Sequence, residues 1–239
     1  MIHSEETAST IPSSALSGDL RARTSLLHDQ AEALLGLPDS ITSRSEYADW
    51  LAHFLAFYDP LERAFGAFSK WDILEPFSTK STHSRRLIRD LGALGFDLRA
   101  LSHAPNARIP TMPTFAHALG ARYVLEGSAL GGKVILRNLQ QRIGAEIAGA
   151  TDFFGGVEPA PSSDWRVFKK ALDRFGDQHP EAREDVLTGA EETFRALLDW
   201  FEPFVAQKKK MVQPVCCGNS LKFVKTFPPN FLDPVGAQK

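Results

Sequence analysis

What most constrains this chain is the spacing of its apolar residues. From Asp19 to Val205 they recur at three- and four-residue steps, with almost no period-2 alternation. That pattern belongs to amphipathic helices rather than strands. No Asn-Gly or Asp-Gly pair sits between apolar runs as a hairpin signal, and no fixed-period repeat is present. The spacing predicts an all-α, single-domain multi-helix array.

Six helices follow from the stop signals. The first covers about Asp19 to Leu35, with Leu20, Thr24, Leu27, His28, Ala31, Leu34 and Leu35 on one stripe and Gly36 and Pro38 ending it. The second starts near Ser43 or Ser45 and runs to Phe68, with Pro60 expected to kink or split it. The third runs from His83 to Leu94. The fourth begins at Pro113 and continues to Ile143. The fifth runs from Ser163 to Phe175, and the sixth from Pro180 to Val205. Residues 1–18 read as a loose arm, 19–205 as the helical domain and 206–239 as a tail, with Lys208, Lys209 and Lys210 as a solvated helix end.

Composition excludes several function classes. A net charge of -2 argues against a broad nucleic-acid or acidic-membrane binder. No apolar run approaches the roughly 18–20 residues needed to cross a bilayer, and the first 18 residues lack the basic start of a secretory signal. The two cysteines, Cys216 and Cys217, are adjacent and build neither a disulfide framework nor a zinc site. A cytoplasmic protein is expected, with no nucleic acid and no membrane among its partners.

Two features carry chemistry. His28 sits on the apolar stripe of the first helix and is expected to point inward. Of the seven histidines it alone has an acidic residue, Glu32, four positions on. A buried histidine satisfied by a hydrogen bond is the plain reading. A metal-bound imidazole steadied by a carboxylate is the functional one. The second feature is Glu126-Gly127-Ser128-Ala129-Leu130-Gly131-Gly132 inside the fourth helix. Each mid-helix glycine costs about 1 kcal/mol relative to alanine. Close helix packing would explain them; so would a bent helix whose bare backbone approaches a flat group. Together, an inward histidine and a glycine-rich helix could sandwich a planar iron cofactor ligated on one side, with heme the obvious candidate.

These residues also resemble a known family. Leu20-Arg21-Ala22-Arg23-Thr24-Ser25-Leu26-Leu27-His28-Asp29-Gln30-Ala31-Glu32 is similar to the proximal helix of heme oxygenases. Tyr123-Val124-Leu125-Glu126-Gly127-Ser128-Ala129-Leu130-Gly131-Gly132 is similar to their distal helix, in the bacterial form found beside bacteriophytochromes. The resemblance implies one all-α domain that opens heme, both substrate and cofactor, to biliverdin, carbon monoxide and iron. It implies O2 and an electron-donating reductase or ferredoxin, and a biliverdin-accepting phytochrome as a further partner. His28 matches the iron ligand and Glu32 its supporting carboxylate. Gly127, Gly131 and Gly132 match the glycines that contact heme. Ser128 stands where mammalian-type members carry an aspartate, which implies a proton path through water. Arg21, and the pair Arg166 and Lys170, match cations for the heme propionates; each also reads as a plain surface charge. Phe194 and Phe201 match an aromatic pair lining the pocket, and Tyr123 is ambiguous. The rival classes are a non-degrading heme carrier or sensor on the same scaffold, a di-iron oxygenase and a helical interaction protein. The di-iron reading needs Glu-x-x-His motifs, and no histidine here has a glutamate three residues before it.

Overall fold

The computed structural model describes residues 14–75, 83–96, 107–156 and 161–212. Seven α-helices and no strand occur among the described residues: α1 (Leu16–Leu35), α2 (Arg44–Phe65), α3 (His83–Ala93), α4 (Phe115–Ile143), α5 (Asp152–Gly155), α6 (Pro161–Gln178) and α7 (Arg183–Val212).

Local chemistry sets the helix ends. Gly36 closes α1 in the left-handed region (φ 57°), where its N–H reaches the Glu32 carbonyl. Ser43 caps α2 by accepting from the Glu46 N–H, and the Glu46 carboxylate reaches back to the Thr42 N–H at 2.7 Å. Thr114 caps α4 through its side chain. Asp90 of α3 accepts from the backbone N–H groups of Asp152 and Phe153, at 2.9 and 2.8 Å, and so caps α5 across space.

Several boundaries differ from the sequence reading. α1 begins at Leu16 because Leu16, like Leu20, is fully buried. Pro60 does not split α2, which runs unbroken from Arg44 to Phe65. α7 passes through Pro203 and beyond Val205 to Val212, with Lys208 paired to Asp49 rather than simply solvated. The short α5 and a 3-10 turn at Lys70–Leu74 are new. The outer parts of the expected arm and tail (1–13 and 213–239), with Cys216 and Cys217, lie outside the described residues.

The longest helix, α7, is the floor on which α1 and α4 both rest. The α4–α7 crossing is set by glycine. A Cβ added at Gly120 would meet the Val186 carbonyl oxygen at 2.0 Å, and one at Gly189 would meet the His117 carbonyl oxygen at 2.2 Å. No larger residue permits that approach. α1 is fixed to α7 by the Asp19–Arg183 pair and to α6 by Asp173, which accepts from the Ser17 N–H at 2.7 Å. The aromatic centre of the core joins Trp50 and Phe54 of α2 to Phe201 and Phe204 of α7.

Candidate functional site

α1 and α4 approach each other at Thr24 and Tyr123, whose side chains interact. One turn further along each helix lie His28 and Gly127. Burial raises the Tyr123 pKa, opposed by the Thr24 hydrogen bond and the nearby charge of Arg21.

His28 does not point inward as expected: its side chain is 57% exposed. At about 100° per residue it lies on the margin of the buried stripe formed by Leu16, Leu20, Thr24 and Ala31. Asp29 and Glu32 beside it favour solvent. The imidazole does face the α7 side, edge-on to Phe194 with ring centroids 6.3 Å apart. Both ring nitrogens have a carboxylate at 3.8 Å, Asp29 at Nδ1 and Glu32 at Nε2.

On α4 the glycines divide by direction. Gly127 and Gly131 share a face with Leu130 and Val134. A Cβ at Gly131 would meet nothing within 4 Å. Leu130 and Val134 are 41% and 63% exposed, which is high for aliphatic side chains. A Cβ at Gly127 would touch only the Trp165 ring of α6, at 3.4 Å, and that ring packs on Tyr123 at 5.3 Å between centroids. Gly132 is turned about 140° away from Gly127 by helix geometry. It is buried, and a Cβ there would meet the Phe154 carbonyl oxygen of α5 at 2.6 Å. The expectation that Gly132 joins Gly127 and Gly131 on one ligand face is corrected: its glycine admits α5. Ser128 is exposed, but its hydroxyl is tied down. Its Oγ lies 2.5 Å from the Tyr58 hydroxyl and donates to the Leu125 carbonyl at 2.7 Å. Since the one serine proton goes to Leu125, Tyr58 is the donor in the shorter bond.

Of the expected cations, Arg21, Arg166 and Lys170 are all exposed, and none makes an ion pair among the described residues. Phe201 belongs to the core, 4.9 Å from Phe54 and 5.7 Å from Trp50, while Phe194 alone of the aromatic pair reaches His28.

Sequence reasoning missed a charged cluster behind the glycine face. Arg122, only 1% exposed, donates from Nε to Glu126 at 3.2 Å. Its guanidinium stacks over Trp71 at 4.9 Å. His83 Nε2 lies 3.4 Å from the second Glu126 oxygen. Glu62 accepts from the His83 and Ser84 N–H groups at the start of α3. Burial works against the Glu126 carboxylate, yet His83 and then Arg122 outweigh it and hold its pKa below the ordinary value. Only the Arg122–Glu126 step of four residues was visible in sequence; the other partners lie too far apart along the chain.

These surfaces suit a flat amphiphilic ligand: an open stretch of backbone with two exposed aliphatic side chains on α4, an imidazole on α1 and the charge of Arg21 beside Tyr123. The chain as a whole also resembles known proteins. Residues 14–203 match the sequence profile of the family described as heme oxygenase. A heme oxygenase of Xanthomonas campestris pv. campestris (strain 8004) is 37% identical over 108 residues, 44% of this chain and 63% of the relative. The match therefore spans just under two thirds of that relative's length. Crystal structures of the NO- and CO-bound heme oxygenase from Neisseria meningitidis show the same fold, with a TM-score of 0.55 and 19% identity over 79% of this chain and 93% of that one.

Proposed function

The chain belongs to the heme oxygenase family, and on that premise we propose that it seats heme between α1 and α4 and opens the ring to biliverdin, carbon monoxide and iron. O2 is the oxidant, and electrons come from a separate reductase or ferredoxin. The observation that carries this reading is the α4 face on which Gly131 leaves the backbone uncovered beside exposed Leu130 and Val134, with Gly127 bordered by the Trp165 ring.

Bound heme would supply the iron on which O2 is reduced and the ring carbon that is oxidised. The rest is the protein's part. His28 provides one imidazole nitrogen as the iron ligand. Its other nitrogen would face a carboxylate in Glu32 or Asp29, which fixes the ring orientation. Gly127 and Gly131 let the helix backbone approach the ring plane without a Cβ in the way. Leu130 and Val134 keep bulk water from the same face. Arg21, Arg166 and Lys170 pair with the propionate carboxylates and set the angle at which the ring sits. Ser128 donates to Leu125 and is held by Tyr58, so its hydroxyl is not the proton donor to the open face; water on the exposed backbone carries that proton. The protein works in the cytoplasm, and a phytochrome-type acceptor of biliverdin is the partner this product fits.

The test is an anaerobic titration of the purified chain with hemin, followed by air and ascorbate. The reading expects a saturable Soret band that bleaches as biliverdin appears. A band that forms and then survives reductant and O2 marks a heme carrier instead.

A further inference from the structure

Gly127, Gly131 and Gly132 put three residues without side chains into six positions of α4. A helix held by side-chain packing loses its handles there, and the open face offers none. Yet a wall that seats a ligand must hold its backbone to a fraction of an ångström. The structure shows what lies behind it. Glu126, the residue before Gly127, receives Arg122 at one oxygen and His83 at the other. His83 opens α3, and Glu62 of α2 accepts from its N–H at 2.9 Å. Arg122 is itself pinned over Trp71. One carboxylate behind the glycine face is thus held from α3 by His83 and from its own helix by Arg122.

Buried ion pairs are a poor way to gain stability, because well-packed apolar residues of similar volume often serve as well or better. What charged hydrogen bonds add is direction and fixed length. We propose that Glu126, gripped by His83 and Arg122, is a positioning residue that holds the Gly127–Gly131 backbone at its working distance from α1. This rests on the heme reading for its purpose, but the grip itself is a property of the protein alone. Glu62 also places its negative charge on Arg122. Removing the Glu126 carboxylate therefore cuts the tie from α4 to His83 of α3 and the Arg122 bond within α4, while Arg122 keeps a second acidic neighbour.

Two readouts test it on the full chain. Without ligand, amide hydrogen–deuterium exchange over residues 122–134 should quicken about tenfold in Glu126→Ala. In Glu126→Gln, which keeps an acceptor for Arg122, the increase should be no more than about threefold. With hemin, Glu126→Ala should shift the ratio of biliverdin isomers while Glu126→Gln stays near the parent ratio. His83→Gln, which leaves the Arg122–Glu126 bond intact, gives a smaller change in the same direction and replaces Glu126→Ala if that variant does not fold. Parent-like exchange in Glu126→Ala, or exchange that rises equally in Glu126→Gln, overturns the inference. Failure of the parent chain to bind hemin would overturn the functional reading, leaving exchange alone to decide the positioning role.

Discussion

Gly131 and Gly132 are neighbours in sequence with opposite jobs, and a single methyl separates them. A Cβ at Gly131 enters open space; at Gly132 it meets a carbonyl oxygen of α5 at 2.6 Å. Gly131→Ala is therefore expected to raise thermal stability slightly, by about 0.5–1 kcal/mol from helix propensity, while weakening hemin binding. Gly132→Ala is expected to cost about 1–3 kcal/mol by overpacking, read from denaturant unfolding. Asp90 gives a second residue-scale prediction. Burial pushes its carboxyl up to about 6, well above the ordinary aspartate value, although it caps two backbone N–H groups of α5. An acid whose folded pKa is raised binds its proton more tightly when folded. Its contribution is most favourable below about pH 4 and declines as pH rises through about 6, by about 3 kcal/mol at most. Asp90→Asn should flatten that part of the stability–pH curve, and a variant with the parent slope between pH 4 and 6 would refute the assignment. At this scale the sequence was partly legible. The four-residue step from His28 to Glu32 brings both to one helical face, and the glycine run marks the wall. Gly132 was misread because proximity in a motif hides a turn of about 140° around the axis. The grip on Glu126 was unreadable because His83 lies 43 positions upstream and arrives only through tertiary packing.

At the scale of elements, the decisive contact is the crossing of α4 and α7 at Gly120 and Gly189. It sits about two turns before Gly127 and sets the direction in which α4 leaves the floor. Gly189→Ala should cost more stability than Arg23→Ala, because the added methyl strikes backbone. Arg23 by contrast holds Glu184 and Glu191 in exposed pairs of the kind worth about 1 kcal/mol or less. Chemical denaturation of the two variants checks the order. Arg166 and Lys170 project from one face of α6 without ionic partners among the described residues. If they seat the propionates, replacing both with alanine alters the isomer ratio of the biliverdin formed, and an unchanged ratio removes them from the site. Helix existence and order were readable from three- and four-residue spacing. Pro60 was misread as a kink or split, since a helix held by packing tolerates a proline that propensity alone would forbid.

For the whole molecule, the arrangement is one long floor helix carrying two walls that approach at Thr24 and Tyr123 and carry the candidate residues one turn beyond. No described helix is long and apolar enough to cross a membrane. The central claim is that His28 ligates heme iron across from the α4 glycines. The most direct measurement is the absorption spectrum of the hemin complex of His28→Ala, taken with and without added imidazole. The account predicts that the variant loses the parent's axial-ligand spectrum and its turnover, and that free imidazole restores both in part. A His28→Ala protein that shows the parent spectrum and forms biliverdin without imidazole contradicts it.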